Sequence, residues 1–261
     1  MIPYSLVKGY LYHWLHAVDK HSLHAPFVYR FYTELVKQDQ HEQIFKEIEN
    51  FRSIFLKDKN TITVKSPGAQ SRVSQNNRRQ VSSIASYSLG DAKFCRLLYR
   101  LISDQKPNII IELGASLGIT TLYLSAANPS ATIYTFEGCP ETAHLARKLF
   151  KTWKIKNIHL IEGNIDDTLP LILSECDSVD FAYMDANHRY QPTLNYYEWL
   201  KEKSHERSIF VLDDIYWSSG MQKAWKELYK QAEVRLSLDI FDAGLLFFTP
   251  LKKKQHYLLS F

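Results

Sequence analysis

The chain has 261 residues, a formal net charge of +4 and an apolar fraction of 45%. This length suits one main domain with an accessory region, and the apolar fraction is sufficient for a packed core. Three widely spaced cysteines argue against a disulfide-stabilised secreted scaffold and predict free thiols in a cytoplasmic, reducing setting. No apolar run reaches the length needed to span a bilayer, so no membrane association is expected.

Residues 1–88 are predicted to form a helical cap and lid region. Apolar residues recur there at helical spacing, which predicts helices packed on a sheet. One such stripe is Leu11, Trp14, Leu15 and Val18, and another is Ile44, Phe45, Ile48, Phe51 and Phe55. Residues 1–107 hold 16 Lys and Arg against 9 Asp and Glu, whereas residues 108–261 hold 16 against 19. A basic region of this kind is compatible with nucleic-acid binding. The sequence contains no RNA-binding motif, however, and we expect no nucleic-acid partner.

A segment rich in turn-forming residues follows a short β-like run, Thr61–Val64. Residues 66–80 have the composition of a mobile loop. We predict that this loop is a lid, with Tyr87 and Ser88 near a ligand; the alternative is a disordered linker. The arginines of this segment are expected to bind an anionic small molecule. They are Arg72, Arg78 and Arg79.

The segment Asn108–Thr120 has the pattern of a buried parallel strand that enters a helix through a glycine-containing turn. Gly114 and Gly118 permit close approach of a ligand to the backbone. The third glycine of a dinucleotide fingerprint is replaced by Ile119, and a Walker lysine is absent. The turn therefore indicates a nucleotide-like ligand of a different kind.

Four further strands are predicted after this turn, and carboxylates cluster where the strands end. In open α/β sheets the ligand crevice lies at the carboxyl ends of the strands. An acid about twenty residues beyond the glycine turn also suits ribose hydroxyls. The acids that end strands one, two, four and five are Glu112, Glu137, Asp185 and the pair Asp213 and Asp214.

Residues 108–249 resemble the class I S-adenosylmethionine (SAM)-dependent methyltransferases, and among these the small-molecule O-methyltransferases of the catechol type. The resemblance is carried by Leu113–Thr121, Thr135–Glu137, Gly163–Ile165, Met184–Tyr190 and Leu212–Asp214. It implies an α/β fold with a seven-stranded doubly wound, Rossmann-like sheet, an antiparallel last strand and an N-terminal helical cap. The methyltransferase domain is assigned to residues 89–261.

The resemblance assigns SAM-binding roles to residues of the strand ends. The methionine half is assigned to the glycine turn and to Glu112, the ribose to Glu137, and the adenine border to Asn164 and Ile165. Two of these residues also have purely structural interpretations, since Thr120 begins a helix and Ile165 suits a core. The full set is Glu112, Gly114, Ser116, Gly118, Thr120, Glu137, Gly138, Asn164, Ile165 and Asp185.

Two mechanisms remain open for activating the acceptor oxygen. In catechol-type relatives Mg²⁺ lowers the pKa of the acceptor hydroxyl, and the matching ligands here are Asp185, Asp213 and Asp214. The lysine base of those relatives is missing, and His188 occupies the corresponding stretch. The Asp-x-x-His-x-Tyr pattern is similar to sugar- and natural-product-type methyltransferases, in which a neutral histidine acts as the base.

These observations predict methyl transfer from SAM to an oxygen of a small-molecule acceptor, with His188 and Asp185 as catalytic residues and Mg²⁺ or another divalent cation as a second cofactor. The alternatives are an RNA or protein methyltransferase, or a SAM-binding regulatory protein without catalysis. A homodimer is compatible with the sequence.

Overall fold

The computed structural model describes residues 4–23, 25–36, 43–64 and 77–261. The chain forms two compact units, one of residues 39–172 and one of residues 1–38 together with residues 173–261. The helices are α1 (Tyr4–His16), α2 (Pro26–Arg30), α3 (Gln43–Lys57), α4 (Val81–Ser88), α5 (Ala92–Gln105), α6 (Ile119–Ala127), α7 (Pro140–Thr152), α8 (Ile165–Glu175), α9 (Tyr190–Lys201) and α10 (Ser219–Leu228).

Ten strands are assigned within the described residues. Eight of them, β3 to β10, form a mostly parallel sheet, and the other two pair as a separate antiparallel ribbon. The strands are β1 (Thr61–Thr63), β2 (Arg78–Gln80), β3 (Ile109–Leu113), β4 (Thr132–Glu137), β5 (Ile158–Glu162), β6 (Phe181–Met184), β7 (Ile209–Asp213), β8 (Leu236–Asp239), β9 (Ala243–Phe247) and β10 (Gln255–Leu258). The predicted α/β class is confirmed, with one strand more than expected.

The unit of residues 39–172 contains β3, β4 and β5, which lie side by side and parallel. Because parallel strands end at the same edge, the loops after β3 and β4 meet there. The backbone N–H groups of Gly114 and Ala115 both donate to the carbonyl oxygen of Phe136, at 3.0 and 2.8 Å. Helix α3 packs its predicted apolar stripe inward and buries Phe45 and Ile48.

In the other unit β6 and β7 are parallel, and β9 runs antiparallel to both β7 and β8. The predicted reversal near the end of the chain is therefore confirmed. The extra strand is β10, which pairs parallel with β8. The period-two pattern of a strand does not reveal the neighbour with which it pairs.

Helix α1 differs from the prediction. Its stripe of Leu11, Trp14 and Leu15 was expected to face the sheet, yet all three side chains are exposed. The buried positions are instead Gly9 and His13. Across residues 4–23, 25–36, 43–64 and 77–261, no helix combines the length and the apolarity that crossing a membrane requires.

The predicted lid falls partly outside the described residues, since these omit residues 65–76 and with them Arg72. The flanking residues form the β1–β2 ribbon, in which Thr63 pairs with Arg78 and Ile62 with Arg79. Whether residues 66–80 act as a lid stays a prediction, and so does the domain boundary at residue 88.

Candidate functional site

The turn after β3 has a backbone conformation that few sequences allow. Gly114 has φ 103°, Ser116 has φ 47° and Gly118 has φ 84°. These are left-handed values, which glycine adopts without strain and serine only at a cost. Strain of this kind is common where a loop is shaped for a ligand. The turn predicted from the sequence is therefore a constrained loop that leads directly into α6.

Gly118 is required for a reason that the sequence did not reveal. We expected it to allow a ligand near the backbone, but a Cβ atom at this position would lie 2.7 Å from Cε1 of Phe150 in α7. The missing side chain of Gly118 thus makes room for an aromatic ring of the same unit.

Glu137 ends β4 and is held by the glycine turn. Its carboxylate accepts hydrogen bonds from the backbone N–H of Ser116 at 2.9 Å and of Cys139 at 2.8 Å. These two bonds fix the orientation of the carboxylate and join it to the turn after β3. The backbone N–H of Gly163, after β5, donates to the carbonyl oxygen of Glu137 at 3.1 Å. Glu137 therefore connects the loops that follow β3, β4 and β5, and Gly138 lies within this junction.

Glu112 lies deeper than Glu137. Its side chain is fully buried, and one carboxylate oxygen accepts hydrogen bonds from the hydroxyls of Thr121 and Thr135, both at 2.6 Å. These bonds tie β3 to α6 and β4. The carboxylate is directed at these hydroxyls, and its assigned role at the amino group of SAM stays a prediction.

Two further predicted residues lie in the same unit. The hydroxyl of Ser116 is 2.6 Å from that of Ser88, so the end of α4 contacts the glycine turn, and the predicted position of Ser88 near a ligand stays a prediction. Tyr87, which precedes Ser88 in the sequence, is 81% exposed. Thr120 is buried in the first turn of α6, with its hydroxyl 3.8 Å from the thiol of Cys95. This contact with Cys95 is compatible with Thr120 being a residue of the helix start and not of the SAM site.

Asn164 opens α8. Its side-chain oxygen accepts from the backbone N–H of Asp166 at 3.3 Å, and its carbonyl oxygen accepts from Thr168. Ile165 is the first residue of the helix and is partly buried. Both residues follow Gly163, which is bonded to Glu137. Their assignment to the adenine border stays a prediction.

The unit that includes residues 173–261 brings together the four predicted residues Asp185, His188, Asp213 and Asp214, which we call the acidic cluster. His188 Nε2 lies 3.4 Å from a carboxylate oxygen of Asp185, and His188 Nδ1 lies 3.9 Å from one of Asp214. Asp213 accepts a hydrogen bond of 2.8 Å from the hydroxyl of Tyr183. The helix that follows, α10, is capped by Ser218, whose side chain accepts from the backbone N–H of Met221.

The charges of the acidic cluster keep His188 protonated. Burial by itself lowers the pKa of His188, but the hydrogen bond and charge of Asp185, together with the charges of Asp214 and Asp213, raise the pKa to about 9. Burial and the charges of Asp185 and Asp214 raise the pKa of Asp213 well above its ordinary value. The sequence suggested a histidine that is neutral near pH 7; in this setting it is cationic there and neutral only above about pH 9.

Backbone strain accompanies the acidic cluster. Asn187, His188 and Asp214 all have positive φ angles, of 66°, 35° and 54°. Asn187 donates from its side chain to the hydroxyl of Tyr196 at 2.9 Å, which helps to hold the strained loop. Non-glycine residues in such conformations concentrate at functional sites.

The arrangement does not fit a prepared metal site. Among the residues that the structure describes, no group of three or more His, Cys, Asp or Glu side chains is placed to hold a metal ion. His188 instead supplies the positive charge near the carboxylates of Asp185, Asp213 and Asp214. The predicted divalent cation is therefore not confirmed.

Tyr183 is the residue that the sequence did not identify. It lies inside β6, in a run of buried apolar residues, so its pattern predicts core packing. Only the fold shows that its hydroxyl reaches Asp213. Asp185, two residues later, directly follows the end of β6 and could be identified for that reason.

Replacing Asp185 by Asn is expected to lower the pKa of His188 from about 9 toward its ordinary value of 6.5. Since the folded-state pKa is raised, the stabilising contribution of His188 is fully present below pH 6.5 and is lost as the pH rises through about 9. The measurement is an NMR titration of the imidazole protons. A midpoint for His188 near 6.5 in the unmodified chain would contradict this description of the acidic cluster.

Comparisons with known proteins point to a methyltransferase domain. Residues 111–215 match a family model described as a methyltransferase domain. The Transmembrane O-methyltransferase of Homo sapiens is 31% identical over 96 residues, which are 34% of this chain and 33% of that protein. The chain thus spans about a third of the length of this curated relative.

Solved structures show the same fold. The SAH-bound methyltransferase PaMTH1 of Podospora anserina superposes with a TM-score of 0.62 at 16% identity, covering 87% of this chain and 97% of that one. The O-methyltransferase from Bacillus cereus in complex with SAH gives a TM-score of 0.57 at 14% identity, covering 85% and 97%. At these identities the similarity shows the fold.

Proposed function

We propose that this chain, whose residues 111–215 match a methyltransferase domain, transfers the methyl group of SAM to an oxygen of a small-molecule acceptor. The observation that carries the proposal is the anchoring of Glu137 by the N–H groups of Ser116 and Cys139. It produces an oriented carboxylate next to a glycine turn, which suits ribose hydroxyls.

SAM supplies an activated methyl group, so the protein must orient the acceptor, exclude water and remove one proton. The oxygen–methyl bond forms as the sulfur–methyl bond breaks, and the acceptor proton must pass to a base. We assign this proton to Nδ1 of His188. That atom is buried and, within the described part of the chain, has no hydrogen-bond partner.

Asp185 fixes the orientation of the base. Its carboxylate lies 3.4 Å from His188 Nε2, which favours the tautomer with the proton on Nε2 and the lone pair on Nδ1. Because the same carboxylate raises the pKa of His188 to about 9, the basic form is a minority near neutral pH. We therefore expect kcat/KM to rise about tenfold per pH unit until the pH approaches 9.

The test is transfer of a radiolabelled methyl group from SAM to a panel of catechols, phenols and hydroxy acids, with and without a chelator. His188→Gln is expected to lower kcat roughly 100-fold, as loss of a general base does. The matched control is His205→Gln, because His205 forms a comparable pair with Asp180 in the same unit, at 2.8 Å. Equal activity of the His188 variant and its control would contradict the assignment. Activity that a chelator abolishes and Mg²⁺ restores would instead support the metal mechanism.

We further propose that the acceptor is anionic and is bound by the β1–β2 ribbon. Arg78 and Arg79 lie on β2, in the same unit as Glu137. Arginine binds carboxylates and phosphates through a planar pair of donors. Replacing Arg78 and Arg79 by Ala should raise the KM of a carboxylated acceptor about tenfold, because one planar pair of hydrogen-bond donors to the carboxylate is lost. Lys57→Ala/Lys59→Ala, exposed cations next to β1, is the control. An unchanged KM would contradict this assignment.

A further inference from the structure

Helix α1 is fixed in the protein by two residues on one side. Gly9 lies directly against the ring of Tyr216, so closely that a Cβ atom would collide with it. His13 is buried, with Nε2 at 3.2 Å from the carbonyl oxygen and 3.4 Å from a carboxylate oxygen of Asp239. Asp239 is itself bonded to the hydroxyl of Tyr216 at 2.8 Å. These contacts determine which side of α1 faces outward.

The outward side is apolar. Val7, Leu11, Trp14 and Leu15 are 45%, 52%, 66% and 67% exposed. At about 100° per residue they fall within an arc of roughly 100° centred near Leu11. We call these four residues the outer face of α1. Tyr10 and Tyr12 flank it on either side and are about half exposed.

This concentration of exposed apolar surface is unusual in a monomer. Single exposed apolar residues are common, but a contiguous apolar area marks a surface that is covered in the functional state. From typical side-chain areas, the outer face and its flanking tyrosines present on the order of 700 Å². Each partner of a standard protein interface contributes about 800 Å². The area is therefore sufficient for a specific contact.

We propose that the outer face of α1 binds the same face of a second copy of this chain. The sequence of the helix is self-complementary about Leu11. An antiparallel pair with its two-fold axis at Leu11 places Val7 against the partner's Leu15 and Lys8 against the partner's Trp14. The first contact buries apolar surface, and the second is a cation–π arrangement. Such a face satisfies the requirement of a two-fold interface, in which one surface meets itself.

Charge also favours a second copy over a lipid surface. Helix α1 contains no acidic residue, and Lys8 is its one permanently charged side chain. A helix that binds anionic lipids usually carries several Lys or Arg on its polar side. A pair of these helices, in contrast, brings no like charges together, because the two Lys8 side chains lie on opposite sides of the axis.

The test is analytical ultracentrifugation of the full chain and of Leu11→Glu and Leu11→Lys. We expect a dimer of the 30.5 kDa chain that each variant weakens at least roughly 100-fold, because two like charges meet at the axis. An equimolar mixture of the Glu and Lys variants should recover the dimer. Leu56→Glu, another exposed leucine, should not change the association. Far-UV circular dichroism and a thermal melt establish that each variant is folded.

Two results would overturn the proposal. One is a monomer at all concentrations, or a dimer that Leu11→Glu leaves intact. The other is binding of a monomeric chain to vesicles of phosphatidylcholine and phosphatidylserine that Leu11→Glu abolishes, since this would assign the outer face to a membrane surface. Recovery in the Glu and Lys mixture distinguishes direct pairing of the two Leu11 positions from an indirect effect.

Discussion

Replacing Glu137 by Ala is expected to weaken binding of S-adenosylhomocysteine about 100-fold. A hydrogen bond from a ribose hydroxyl to a charged carboxylate contributes roughly 1.5–3 kcal/mol, and the variant removes this acceptor. About 2.7 kcal/mol corresponds to this factor in affinity. The variant also frees the N–H groups of Ser116 and Cys139, so the glycine turn loses its anchor. Isothermal titration calorimetry, carried out below the melting temperature of the variant, measures the change.

Glu162 provides a matched control for this experiment. It ends β5 at the position that pairs with Glu137, but it forms an exposed ion pair with Arg147 at 3.2 Å. Glu162→Ala should bind the nucleotide as tightly as the unmodified chain. If the two variants lost the same affinity, Glu137 would have no special role and the ribose assignment would be wrong. Glu137→Gln should fall between them, because it keeps an oxygen acceptor without the charge.

Replacing Gly118 by Ala is expected to lower the free energy of unfolding by about 2–5 kcal/mol. A left-handed φ costs an L-residue roughly 1–2 kcal/mol, and Gly118 has φ 84°. The new Cβ would also lie 2.7 Å from the ring of Phe150. Overpacking of this kind costs roughly 1–3 kcal/mol in a closely packed core. Urea unfolding monitored by circular dichroism measures the total loss of stability from the backbone and packing costs.

A second variant separates the two costs. Adding Phe150→Leu to Gly118→Ala should relieve the collision and leave the backbone cost. Gly90→Ala is the control for a glycine with ordinary neighbours, since its nearest side-chain atom would lie 3.5 Å away. A Gly118 variant no less stable than the Gly90 variant would show that the turn accommodates a side chain, in conflict with the packing described above.

The strands, their order along the chain and the acids at their ends were predictable, because the relevant signals are local. Each parallel strand is a short apolar run, and Glu137 and Asp185 follow such runs directly. In the folded sheet the loop that contains Gly114 lies at the end of β4, where the N–H of Gly114 donates to the carbonyl oxygen of Phe136. The prediction of Glu137 as an oriented carboxylate therefore required only the pattern and the rule for parallel sheets.

Other properties depend on contacts between distant residues and were not accessible from the sequence. The pKa of His188 depends on how closely three carboxylates approach it. The need for glycine at position 118 depends on Phe150, which is 32 positions later in the chain. Helical spacing identified the apolar stripe of α1, but spacing does not state which side faces the protein. The buried contacts of Gly9 and His13 settle that question.

We claim that the chain binds SAM through the glycine turn and Glu137, and the most direct test is calorimetric titration of the unmodified protein. SAM and S-adenosylhomocysteine are titrated separately, each with a chelator and with Mg²⁺. We expect micromolar dissociation constants for both nucleotides, unchanged by Mg²⁺, because the glycine turn and Glu137 lie outside the acidic cluster. Absence of binding for both nucleotides under both conditions would contradict the claim and leave only the fold.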